Sequence, residues 1–87
     1  MNIESNRQNE QVTAVISHYI RPGRESGYEE WLEGISQAAS QFEGHNGVTI
    51  LRPKSNSGGE YVIILRFNNY NNLRQWMRSP ERRDWIE

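Results

Sequence analysis

Asn72 and Trp76 lie four positions apart in NLRQWM, near the end of an 87-residue chain. On a helix that spacing projects both side chains from one face, and an amide and an indole both offer N–H donors. His18, in VTAVISHYI, is the one candidate base near neutrality on the scaffold. Arg66 interrupts the apolar run YVIILRF. A guanidinium there pairs with a carboxylate, as across a dimer seam, or binds an anionic group. Each residue also has a packing explanation. Aromatic residues on a helix stripe usually pack, so Trp76 can fill a core beside Leu73 and Met77 while Asn72 faces solvent. His18 has no carboxylate partner at a readable spacing and fits a hydrogen-bonded strand position. His45 falls in the turn EGHNG, a structural setting.

Whatever these residues do, the elements that hold them must come first. VTAVISHYI (12–20) is β-branched and aromatic, hence a strand, and RPGRE ends it because Pro22 lacks a donor and Gly23 turns. Tyr28, Trp31, Leu32, Ile35, Ala39 and Phe42 fall on one stripe of a helix that starts at Glu25 and stops by Gly44. GVTILRP (47–53) and EYVIILRF (60–67) are strands joined by the hairpin loop KSNSGG. Asn68 or Asn69 caps a helix bearing Leu73, Trp76 and Met77. Ser79 caps a short final turn, with Pro80 at its first position.

The order is β-α-β-β-α. A right-handed crossover makes strands one and two parallel, and the hairpin makes two and three antiparallel. Inserting strand three between the others explains why it is apolar on both faces, with Tyr61, Ile63, Leu65 and Phe67 on one and Val62 and Ile64 on the other. The helices cover one face of this sheet, and a second copy of the chain, packed sheet to sheet, is expected to cover the other. Residues 1–11 are polar, without periodicity, and read as a mobile tail before a single domain at 12–87.

Composition narrows the function. A chain this short buries only ~60% of its unfolded surface, and its mean hydropathy of -0.91 is polar. There is no cysteine, so disulfides and thiolate metal sites are excluded. Two His without clustered acids give no metal signature. A net charge of -1 gives no footprint for nucleic acid. No run approaches the ~20 apolar residues of a membrane span, no signal-peptide core is present, and the cytoplasm is the default location. Glu25, Glu29, Glu30 and Glu33 make the first helix acidic, and Arg74, Arg78, Arg82 and Arg83 make the C-terminal part basic. Such faces are most often solvated.

RPGRESGYEEWLEGI, FEGHNGVTILRP, EYVIILRF and NLRQWMRSPERRDW, in this order and spacing, resemble the antibiotic biosynthesis monooxygenase domain family. The resemblance implies an α+β, ferredoxin-like fold, an antiparallel sheet with helices on one face, assembled as a dimeric α+β barrel. Members usually add a fourth strand beside strand one, and the sequence reaches Glu87 before one. Residues 5–11 or a partner chain are then expected to cover that edge. The resemblance further implies oxygenation of a small aromatic phenol without metal, flavin or other cofactor. Asn72 and Trp76 are similar to the family's catalytic pair, with His18 and Arg66 as further catalytic candidates and Tyr28, Trp31 and Phe67 as walls of the slot. The heme-degrading branch does not fit. It needs an Asn on strand one and a His about ten residues after the Trp, where this chain has Ile86. A non-catalytic dimeric module, binding a ligand or assembling a longer protein, is the other expectation.

Overall fold

The structure is a computed structural model, and it describes residues 10–54 and 57–86. The mobile tail read from the sequence therefore falls, for residues 1–9, outside the described residues.

The elements follow the expected order. They are β1 (Val12–Ile20), α1 (Glu25–Ser40), β2 (His45–Leu51), β3 (Gly59–Phe67), α2 (Tyr70–Met77) and α3 (Pro80–Ile86). The sheet runs β1-β3-β2, with β3 central and antiparallel to both neighbours. Nine consecutive pairs, Val12↔Phe67 through Ile20↔Gly59, lock β1 to β3 without a slip. Between β2 and β3 the register shifts from His45↔Phe67 to Val48↔Leu65. One extra residue is accommodated there as a β-bulge.

Several boundaries differ from expectation. β2 starts at His45, so this residue belongs to a strand end rather than a turn, and its ring meets Phe67 edge-on at 5.5 Å. α1 stops at Ser40, leaving Phe42 on the turn that follows, where it still packs on Trp76 at 5.2 Å. The final turn is a seven-residue helix, α3. Its start is as expected: Ser79 Oγ accepts the Arg82 N–H at 3.1 Å, which satisfies one of the free donors of a first turn. Asn69 caps α2 in the same way, accepting from the Asn72 N–H at 2.9 Å.

Parity decides the two faces of the sheet, since successive strand residues point opposite ways. Tyr61, Ile63, Leu65 and Phe67 are all buried beneath the helices. They join Leu32 and Ala39 of α1 and Trp76 of α2 in two adjoining clusters. Phe67 is fully buried, a burial worth roughly 2–3 kcal/mol relative to exposure. The opposite face carries Val15, Tyr19 and Leu51, which are 65%, 72% and 50% exposed. Among the described residues no element covers that face, and no fourth strand borders β1.

Candidate functional site

A cleft of about 500 Å³ lies between the helix-facing side of the sheet and the helices. Its floor is Ala14, Ile16 and His18 of β1 with Ile63 and Leu65 of β3 and Val48 of β2. One wall is α1, from Tyr28 and Trp31 to Ala39. Trp76 and Met77 of α2, then Arg82 and Ile86 of α3, complete it. Apolar side chains dominate, as in most small-molecule sites.

Polar chemistry gathers at the end where β1 meets the start of α1. His18 Nδ1 lies 2.9 Å from the Tyr28 hydroxyl. Tyr28 also stacks on Trp31 at 5.5 Å and meets the edge of Tyr61 at 4.7 Å. Burial pushes the Tyr28 hydroxyl above its ordinary range, and the neighbouring Tyr61 and Glu29 add to the shift. It therefore keeps its proton at neutral pH. Both tautomers of neutral His18 suit the contact. Tyr28 donates to a bare Nδ1, or accepts from Nδ1–H and leaves Nε2 free to take a proton.

Behind this end, Glu29 holds three donors. Arg52 reaches it with Nε at 2.7 Å and Nη2 at 2.9 Å, and the Tyr61 hydroxyl donates at 2.9 Å. The Arg52 guanidinium holds the Glu29 carboxyl below its usual range, against a smaller opposing effect of burial. This fork pins α1 to the end of β2 and fixes the tilt of Tyr28.

The last helix, α3, docks on α1. The Trp31 indole N–H donates to the Trp85 carbonyl at 2.6 Å. The Trp85 ring lies over Gly34, where a Cβ would come within 2.1 Å of it. Glycine in mid-helix costs about 1 kcal/mol, and here its missing side chain gives the indole its seat.

Of the residues singled out from the sequence, four line the cleft: His18, Tyr28, Trp31 and Trp76. Trp76 is buried and also packs on Phe42, so it is both core and cleft wall. Among the described residues its indole N–H makes no hydrogen bond. Three do not line it. Phe67 lies beneath it, in the core. Arg66 has the parity of Val62 and Ile64, points to the open face, and donates to Thr49 Oγ1 at 2.9 Å. Asn72 packs against Gly44, where its amide fills the space of a side chain and a φ of +81° favours glycine. Four-residue spacing put Asn72 and Trp76 on one side of α2, but one turn of helix separates the cleft from the Gly44 loop. Arg82 lines the cleft although sequence reasoning read it as part of a solvated basic face.

Among the described residues no three His, Cys, Asp or Glu side chains cluster to hold a metal, and no helix is long and apolar enough to cross a membrane.

A three-stranded antiparallel sheet, roofed on one face by helices with an apolar cleft between, defines an α+β ferredoxin-like domain. The antibiotic biosynthesis monooxygenase family model matches residues 11–87, and the chain belongs to that family, whose fold is the dimeric α+β barrel. The chain is similar to an uncharacterized protein of Synechococcus elongatus, 32% identical over 82 residues. The match takes in 94% of this chain and 38% of that protein, so the chain spans well under half its relative's length. No solved structure matches the chain.

Proposed function

We propose that this domain oxygenates a small aromatic, polyketide-like substrate without a cofactor. One observation carries the reading: a single apolar cleft joins the His18–Tyr28 pair to the Trp76 indole. A planar phenol such as a hydroxy-anthrone lies along Tyr28 and Trp31. His18 takes the phenolic proton, with Tyr28 holding the imidazole in place. The Trp76 N–H is the donor available to the resulting oxyanion. Dioxygen then attacks the electron-rich ring carbon of the anion. One oxygen atom becomes a ring carbonyl, the other leaves with the two methylene hydrogens as water, and His18 returns the phenolic proton to the product. Asn72 and Arg66, on their observed faces, take no part in this scheme.

In the same reading the chain is a cytoplasmic homodimer, joined through the open sheet face that bears Val15, Tyr19 and Leu51. Burying such a face supplies the stability a short chain lacks.

Oxygen uptake with a hydroxy-anthrone tests the activity. His18→Gln and Trp76→Phe are each expected to lower the rate about 10²-fold, and Asn72→Ala to leave it unchanged. Unaltered rates in both His18→Gln and Trp76→Phe would end the catalytic reading. The second reading is a ligand-binding or assembly module within a longer protein. It is favoured by the 38% share that the match takes of the relative's length. Ligand binding without oxygen uptake would select it.

A further inference from the structure

The cleft is electrically lopsided. Among its described lining residues there is no carboxylate, and Arg82 is the one permanently charged group. The acids of α1 are elsewhere: Glu29, Glu30 and Glu33 line a separate groove with Arg52. Arg82 enters from α3 at the Met77 end, where Nη1 donates to the Met77 carbonyl at 3.2 Å. That bond uses one corner of the guanidinium. Among the described residues no carboxylate pairs with it, which leaves the edge formed by Nε and Nη2 without a protein partner. Such an edge, with two parallel N–H groups, is the half of a bidentate pair that a planar carboxylate completes.

We propose that Arg82 selects an anionic ligand: an aromatic molecule whose carboxylate sits on the Nε/Nη2 edge while its rings run along the apolar floor towards His18 and Tyr28. The proposal rests on the cleft being a ligand site, and it adds the charge of that ligand. Dimensions agree. From Tyr28 to Ala39 the wall of α1 is about 16 Å long at 1.5 Å per residue, enough for fused rings with a polar group at each end. Desolvation agrees too. A neutral ligand returns at most an uncharged acceptor for the water it strips from the guanidinium, whereas a carboxylate replaces that water with two charge-assisted hydrogen bonds. Arg82 is thus a specificity-determining residue, and it also orients the ligand, because an anchored carboxylate directs the far end at the His18–Tyr28 pair.

The test compares 2-naphthoate with the isosteric, neutral 2-naphthamide, binding of each to the full chain being followed by tryptophan fluorescence and calorimetry. The wild-type protein is expected to bind naphthoate about tenfold more tightly, and added salt to weaken naphthoate only. Arg82→Gln should abolish the preference by weakening naphthoate far more than naphthamide. Arg82→Lys should retain part of it, as a point charge without the fork. A purely structural role for Arg82 would move both ligands together. Equal affinities in the wild type, or a preference that survives Arg82→Gln, overturn the proposal and leave the cleft standing as a ligand site. Failure of both probes to bind the wild type overturns both. If Arg82→Gln does not fold, the salt dependence and Arg82→Lys decide the matter.

Discussion

The outer edge of the Trp85 indole lies against Gly34, and the Trp85 carbonyl accepts the Trp31 N–H at 2.6 Å. Two contacts thus dock the last helix across the cleft. Gly34→Ala is expected to push the indole outward, because a Cβ would stand 2.1 Å from it. The ring is already 40% exposed and sits at the end of a movable side chain. Ala also gains about 1 kcal/mol of helix propensity over Gly. The expected outcome is a red-shifted tryptophan emission with a net change in stability under about 1 kcal/mol. An unshifted spectrum would contradict the docking.

The Glu29–Arg52 fork predicts a specific acid sensitivity. Glu29 titrates below its ordinary value of 4.5, chiefly through the Arg52 hydrogen bonds. A depressed carboxyl stabilises the fold above that value, and the contribution is lost as pH falls through the folded one. Both side chains are partly exposed, so Glu29→Gln is expected to cost on the order of 1 kcal/mol at pH 7. The cost should shrink as pH falls below the ordinary value of 4.5. Urea titrations of both proteins across that range measure it.

At the alkaline end the sign reverses for Tyr28. Burial raises its hydroxyl above 10.0. Stability linked to it is complete below that pH and is lost as pH rises through the folded value. Absorbance at the phenolate band should show two tyrosines ionising late, Tyr28 and Tyr61, and Tyr28→Phe should remove one of them from that phase. Loss of an early phase instead would place Tyr28 in solvent.

The open face predicts the oligomer. Val15→Glu puts a charge opposite Ile64, in the middle of the uncovered sheet. Sedimentation should find dimers of the wild type and monomers of the variant, with helix content unchanged. A monomeric wild type would remove the sheet-to-sheet assembly.

His45 gives a smaller acid effect. Burial lowers its tendency to charge, and Nε2 is buried without a hydrogen-bond partner among the described residues. A folded value below the ordinary 6.5 means stability present above that pH and lost below it. His45→Phe should flatten thermal stability between pH 7 and pH 5, and an unchanged slope would exonerate this residue.

Local periodicity determined most of the frame. The stripe from Tyr28 to Ala39 could only be a helix, and a strand apolar on both faces could only be central, as β3 is. Even the exile of Arg66 was written in the sequence, because it shares the parity of Val62 and Ile64. Membership of the cleft was not. It depends on contacts between residues far apart in the chain, such as Trp31 with Trp85 and His18 with Tyr28, and these follow from how α1 and α3 tilt over the sheet. Asn72 and Trp76 share one helix spacing yet meet different neighbours, a loop in one case and the cleft in the other. Arg82 looks like any solvated arginine until α3 folds back and brings it to the rim. Spacing along an element fixes direction, but only the packing of one element on another fixes what lies in that direction.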